Sequence, residues 1–312
     1  MGAMSAAKQT LRTRLVMSGA FVGALVALSL SWTFSWGAAG GSSSAEQKTY
    51  SVTAHVSPGQ CLTWGDDPAE APAVVSCGKS HLFEVTDVLN LSAQFPPEAT
   101  PPDVDKWREV ADNRCGKNIE KYLGEPLDPN GRYSLTVLRP TTADWNNGLR
   151  EVRCGLQRTA PNGEPLRSTG KAAKQDQSSV YEPGTCLGLA GKSVGAPTEC
   201  SSEHSYEIIA TLDLTREFAF TDGYPDPEEQ NEWLDKQCNE KLASYTDDDG
   251  LDEGLMLGWD TVEKKSWQAG STKVNCKVGK TLDDGSGLAA TTGSVAADAN
   301  GGSSPTSSTE NG

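Results

Sequence analysis

The sequence predicts an α+β protein: two tandem disulfide-bonded domains, each a mainly antiparallel sheet with one packed helix, after an N-terminal transmembrane helix. Three observations predict it. An uninterrupted apolar segment lies near the N-terminus, eight cysteines fall into two sets of four with nearly equal spacing, and each half carries one amphipathic helical pattern.

Residues 1–14 carry Lys8, Arg12 and Arg14 and no acid, and the next charge after Arg14 is Glu46. Between them residues 15–36, Leu15 to Trp36, are apolar or small throughout. A helix of about 20 such residues crosses a ~30 Å hydrocarbon core, whereas the apolar core of a cleaved signal peptide usually has only about 7 to 15. A retained signal anchor is therefore expected, with cleavage near Gly37-Ala38-Ala39 as the alternative. The basic residues keep the N-terminus cytoplasmic, and Trp32, Phe34 and Trp36 sit where an aromatic belt marks the outer interface. The expected location is thus the cell membrane, single-pass, with all that follows residue 37 outside. Gly19, Gly23, Ala27 and Ser31 recur every four residues, so one face is small enough for a second helix to approach. Homodimerisation through Gly19 and Gly23 is one expectation; the other is that small residues are simply common in such spans.

Beyond the three N-terminal basic residues the chain has 24 Lys and Arg against 42 Asp and Glu. Such a surface repels nucleic acid and anionic lipid, which leaves solubility or basic partners as its purpose. Residues 37–55 begin as a Gly/Ser-rich linker, and 298–312 form a Gly/Ser/Thr tail with too little apolar content to fold.

Between linker and tail the sequence repeats. Cys61, Cys77, Cys115 and Cys154 are spaced by 16, 38 and 39 residues; Cys186, Cys200, Cys238 and Cys276 by 14, 38 and 38. Their neighbours agree: Gly59-Gln60-Cys61-Leu62 answers Gly184-Thr185-Cys186-Leu187, and Cys77, His81, Glu84 and Val85 answer Cys200, His204, Glu207 and Ile208. Trp145, Gly148, Val152 and Cys154 answer Trp267, Gly270, Val274 and Cys276. The expected units are residues 56–172 and 173–297, two copies of one domain.

Within each unit, Ala111, Cys115, Ile119 and Tyr122, and likewise Leu234, Cys238, Leu242 and Tyr245, step by 4, 4 and 3, the apolar face of a helix. Asp226-Pro227-Glu228-Glu229 predicts a capping box with Pro at N1, and a Pro-rich run before Asp103 marks the first helix start. Leu82 to Leu91, Tyr133 to Leu138 and Leu149 to Leu156 read as strands with counterparts in the second half, and short strands near Thr169-Gly170 and Thr292-Gly293 complete each sheet. Four cysteines allow three pairings per unit. First to second and third to fourth is preferred, because only the first interval changes length between copies, as a surface loop would.

The Cys-x3-His-x2-Glu pattern invites a metal or catalytic reading, since thiolate, imidazole and carboxylate are all ligand types. Strand alternation is expected to send His81 and Glu84 to opposite faces, and an exported chain disfavours reduced thiols. His81 and His204 are therefore read as structural, with no catalytic residue, cofactor or metal expected. His55 has no counterpart, and no Gly-x-Ser-x-Gly elbow accompanies any histidine. The acidic run Asp247, Asp248, Asp249, Asp252 and Glu253 fails as an EF-hand loop, because taking Gly250 as sixth puts Tyr245 first and Met256 twelfth. It reads as a solvated turn. A residue needed in every copy points to architecture, so segments that differ point to function. Phe218, Phe220 and Tyr224 replace the Pro-rich stretch Phe95 to Pro102, and Phe220 and Tyr224 form a candidate partner-binding loop, weighed against burial on the helix.

The paired Gly-x-Cys-Leu, Cys-x3-His-x2-Glu-Val and Trp-x2-Gly-x5-Cys patterns behind a single span resemble the septum-formation domain family of actinobacterial membrane proteins, over roughly residues 56 to 295. The second copy departs by Ile208 in place of Val and by a shorter first loop. The resemblance implies a place, the cell envelope, and a process, division or septum assembly; it transfers no catalytic residues. A non-enzymatic scaffold binding an unknown protein or wall component is the expectation. A wall-acting envelope enzyme and a sensor module for a wall component are the alternatives.

Overall fold

In the computed structural model each half builds its own antiparallel sheet, and the two sheets share one strand order. The structure describes residues 56–65, 71–247 and 250–297. The expected span, its Gly19 and Gly23 face, the linker, His55, the tail, Asp248 and Asp249 lie outside these. Among the described residues no helix is long and apolar enough to cross a membrane.

The first half runs β1 (Cys61–Thr63), β2 (Ala73–Val75), β3 (Phe83–Asn90), a helix, β4 (Tyr133–Leu138), a short helix, β5 (Glu151–Thr159) and β6 (Pro165–Leu166). The helix has three parts: α1 (Val104–Val110), a π-helical stretch (Ala111–Cys115) and α2 (Gly116–Leu123). The short helix is α3 (Thr142–Asn146). The second half repeats the plan with β7 (Cys186–Ala190), β8 (Ser193–Thr198), β9 (His204–Asp213), α4 (Pro227–Thr246), β10 (Met256–Trp259), α5 (Lys264–Gln268), β11 (Lys273–Thr281) and β12 (Leu288–Ala289).

The first sheet is ordered β2-β1-β3-β5-β4 with β6 on β5, and the second β8-β7-β9-β11-β10 with β12 on β11. Both break register at the same place. In β3 the pairing with β5 skips Thr86, and in β9 the pairing with β11 skips Ile209, so each central strand carries a bulge two residues past its buried glutamate.

The helices start where their caps predict. Asp103 accepts from the Lys106 N–H. Asp226 accepts from the Glu228 and Glu229 N–H groups while Glu229 accepts from the Asp226 N–H, with Pro227 at N1. Gly124 closes the first helix at φ +85, a left-handed conformation that favours glycine, and Asp247 closes the second at φ 53. The acidic run thus opens with a helix cap.

All four bridges form as expected, Cys61–Cys77, Cys115–Cys154, Cys186–Cys200 and Cys238–Cys276. The second bridge of each half joins the buried helix face to β5 or β11, with Leu91, Val110 and Trp145 around it in the first half and Leu212, Leu234 and Val274 in the second. Two elements escape the periodicities: α3 and α5, short helices that place Trp145 and Trp267 in the cores.

The junction is structured, not a flexible tether. Gln177 and Ser178 are buried; the Gln177 amide donates to Glu125 Oε1 and the Pro126 carbonyl, and the Lys273 N–H donates to Ser178 Oγ. Asn275 pairs with Tyr181 in both directions, its Oδ1 accepting from the Tyr181 N–H at 2.8 Å and its Nδ2 donating to the Tyr181 carbonyl at 2.9 Å.

Candidate functional site

Each half buries one glutamate where strand, helix and returning chain meet. Glu84 Oε1 accepts from Tyr122 Oη at 2.5 Å and Oε2 from the Ala172 N–H at 2.7 Å. Glu207 Oε1 accepts from Tyr245 Oη at 2.8 Å and Ser294 Oγ at 2.5 Å, and Oε2 from the Val295 N–H at 2.7 Å. The carboxylate fastens the helix by its tyrosine and the C-terminal return by a backbone amide, in the same way twice. Acceptor-only oxygens meeting hydroxyl and amide donors are well satisfied, so their burial is tolerated.

The histidines complete this frame. His81 Nδ1 lies 2.9 Å from the Lys79 carbonyl and Nε2 lies 3.2 Å from Ser168 Oγ; His204 Nδ1 lies 2.9 Å from the Ser202 carbonyl. The main chains at His81 and Ser168, and at His204 and Thr291, pair as isolated antiparallel bridges. The short closing strands expected near Thr169 and Thr292 take this form, with β6 and β12 just before them.

One expectation is corrected. His81 and Glu84 do not point apart: with Cys61 they bring ligand-type atoms within 4.8 Å of one another. The reason is local, since β3 begins only at Phe83 and the chain bends at Leu82, so alternation does not extend back to His81. A second group joins Cys186, Cys200 and Glu207. Neither donor set fits a metal well, because every sulfur is in a disulfide and lacks the thiolate charge, and the carboxylate oxygens already accept donors.

Burial, and then the hydrogen bond to Glu84, pushes the Tyr122 phenol well above its ordinary value of 10.0; burial and Glu207 do the same to Tyr245. A raised folded-state pKa stabilises the fold below the unfolded value and loses that contribution as pH rises toward the folded one. Stability should therefore fall between about pH 9 and about pH 11, and fall less steeply in a Tyr122→Phe/Tyr245→Phe variant. Urea titrations at both pH values check this; equal slopes would contradict the coupling.

The candidate loop is divided by the structure. Phe220 is 51% exposed and stacks on Trp267 with ring centroids 5.3 Å apart. Tyr224 is half-buried, its hydroxyl donating to the Val262 carbonyl at 3.1 Å, and Phe218 packs edge-on against Trp233. Only Phe220 of the three offers a broad free face. The reason lies in what covers the shared tryptophan. In the first half Trp145 is capped by the Arg150 guanidinium at 4.0 Å and flanked by Phe95 and Trp107. The matching positions in the second half are Thr272, Phe218 and Gln230, and Phe220 takes the place over the indole.

A cavity of about 400 Å³ lies between the halves, lined by Asp128 and Asn130 from the first, by Tyr181 of the junction, and by Tyr206, Asn275 and Lys277 from the second. Its floor is crossed by inter-half hydrogen bonds, Ser271 Oγ to Asp128 Oδ2 at 2.5 Å and Asn130 Nδ2 to Glu263 Oε2 at 3.1 Å. Lys277 pairs with Asp260 on its wall.

Two disulfide-stapled antiparallel sheets, each with a buried glutamate hub, define a disulfide-bonded α+β class of protein. The family model described as "Septum formation" matches residues 58–276 in one span across both halves, and the chain belongs to this family. It is 32% identical over 239 residues to an uncharacterized membrane protein of Mycobacterium tuberculosis (strain CDC 1551 / Oshkosh), covering 74% of this chain and 53% of that protein. The counterpart in strain ATCC 25618 / H37Rv matches to the same extent. The chain thus spans about half the length of the curated relatives it matches. No solved structure matches.

Proposed function

We propose that the chain is a membrane-tethered scaffold of cell division whose exported part, two copies of one domain, works by binding an envelope partner and not by catalysis. The family assignment and the membrane relatives support the process and the place. The basic residues before the 15–36 span support an outward orientation. Equal strand orders, equal bulges and twin glutamate hubs support the duplication. The side chains a catalytic reading would draft, His81, His204, Glu84 and Glu207, are engaged in holding each half together.

The observation that carries the binding reading is Phe220: a half-exposed aromatic ring, held flat by Trp267, in the segment where the halves differ. Rigid aromatic side chains that are already positioned lose little entropy on binding and dominate interfaces. A photo-crosslinking residue at position 220 of the full chain, in dividing cells, should capture an envelope protein or wall fragment. The same residue at Pro97, the matching place in the first half, should not. Phe220→Ser should abolish the function in vivo yet change stability by no more than about 1 kcal/mol, as surface substitutions do. Equal capture at both positions, or full function in Phe220→Ser, would remove this loop from the account.

A further inference from the structure

The chain has a formal net charge of −15, yet one pocket in the first half is lined, among the described residues, by three arginines and no acid. Arg132, Arg158 and Arg167 surround a space of about 260 Å³ together with Ser80, Ser168, Thr169 and Gln175. The sheet explains why they converge. Arg158 on β5 pairs with Tyr133 of β4 on one side and with Leu166 of β6 on the other, so Arg132 and Arg167, each one residue further along, flank it.

None of the three forms an ion pair with a carboxylate among the described residues. Arg132 donates to the Ser178 and Val180 carbonyls, and Arg167 to Thr63 Oγ1 and the Trp64 carbonyl. Those bonds fix the two guanidinium groups against neutral oxygens. Arg158 lies over the Tyr181 ring at 5.6 Å. Burial and the like charge of Arg132 both push its pKa down, the mark of a cation held beside a cation. Arg167 and Thr169 are exposed and Ser168 is half-buried, so the pocket opens to solvent.

We propose that this pocket is a binding site for an oxyanion of the phosphoryl class, a phosphate monoester or diester. Fixed guanidinium forks and adjacent hydroxyls match phosphate oxygens in geometry and in hydrogen-bonding sense. Bound anion would also offset the like charge that the clustered guanidinium groups present to one another. The second half has no such site: Gly254, Lys280 and Ala290 occupy the positions of Arg132, Arg158 and Arg167, and Glu203 that of Ser80. A charge trio present in only one half is not needed to build the fold. This inference stands apart from the Phe220 reading, which concerns the other half.

The test is calorimetric titration of the full chain, purified in detergent at low ionic strength, with inorganic pyrophosphate and with glycerol 3-phosphate. Saturable binding at one site is expected, weakening as salt is added. Arg158→Gln should lower affinity about tenfold or more, as expected for losing charged hydrogen bonds, and Lys280→Gln should leave it unchanged. Arg167→Gln, at an exposed position, gives the same answer should Arg158→Gln fail to fold. The chain in nanodiscs separates the sources of the group. Weaker pyrophosphate affinity in phosphatidylglycerol than in phosphatidylcholine nanodiscs upholds the site with a lipid headgroup as its ligand; equal affinity upholds it with a soluble or wall-borne ester. No saturable binding by the wild type, wild-type affinity in both arginine variants, or loss of binding in Lys280→Gln would overturn the proposal.

Discussion

Replacing Arg150 with Met should destabilise the first half by about 4 kcal/mol, in the range for removing one partner from a buried charged network. Arg150 is 3% exposed, and its guanidinium donates to five carbonyls: Phe95, Pro96, Pro97, Trp145 and Leu149. The Phe95-Pro96-Pro97 segment has no regular secondary structure to occupy its carbonyls, and two of its residues lack an N–H. One planar cation gathers them all and covers the Trp145 ring at 4.0 Å. A methionine of similar length keeps the packing and takes the guanidinium donors from the Phe95, Pro97 and Leu149 carbonyls, while Pro96 and Trp145 keep the Ala99 and Gly148 N–H groups. Each carbonyl left dry then costs on the order of 1 to 3 kcal/mol, less whatever water can restore. Arg150→Lys should recover only part of the loss, because an ammonium cannot reach both branches of the fork. Urea denaturation followed by tryptophan fluorescence measures both; a loss under about 1 kcal/mol in Arg150→Met would show that water satisfies the Pro-rich carbonyls.

The second large effect lies in the helix-to-sheet bridges. Replacing Cys238 and Cys276 by Ala should cost about 4 kcal/mol, since this bridge closes a separation of 38 residues and both cysteines are fully buried. The Cys186–Cys200 bridge closes 14 residues and should contribute about 3 kcal/mol. The order matters more than either value, because two buried cysteines lose their contacts at the first site and only Cys186 does at the second. Exposure predicts a second contrast. Cys77 and Cys200 are half-exposed while the helix cysteines are buried, so a thiol reductant under native conditions should open the two short bridges first. Mass spectrometry after alkylation checks the order, and melting curves check the stabilities.

What was legible in the sequence was whatever repeats at short range. The 4, 4, 3 step found both helices and their buried faces, the capping box placed Pro227 at N1, and the unequal first interval chose the disulfide pairing. The shared Cys, His and Trp residues read as architecture; the structure puts the cysteines in disulfides and the two histidines in main-chain hydrogen bonds, but the geometric reason given for His81 does not hold. Alternation was extended one turn of backbone too far, past the bend at Leu82. Other features depend on long-range convergence that no local pattern carries. Arg150 reaches Phe95 across 55 residues, and the three arginines of the anion pocket meet only because β4 and β6 both flank β5. The short helices that seat Trp145 and Trp267 span five residues each, too few for a periodic signal. The junction at Gln177 to Tyr181 carries no periodic signal, yet Gln177 bonds to the first half and Ser178 to the second.

Comparing the halves supplied the missing signal wherever a shared position changed chemistry. Arg150 against Thr272 and Trp107 against Gln230 mark where the two cores differ. Gln230 is fully buried, donating to the Pro225 and Val262 carbonyls and accepting from the Val262 N–H. It frees the indole of Trp267 for Phe220. Arg158 and Arg167 against Lys280 and Ala290 mark the other divergence, on the surface. On this account the common frame holds two specialised faces, an aromatic one on the second half and a cationic one on the first.

The central claim is that this chain works at the division site from the outer side of the membrane. Time-lapse imaging of the full chain, fused at its N-terminus to a fluorescent protein and expressed at native level in dividing cells, tests it most directly. Enrichment at the septum, beginning before constriction and diminished by Phe220→Ser, is the expected result; a uniform membrane signal through the whole division cycle would contradict it.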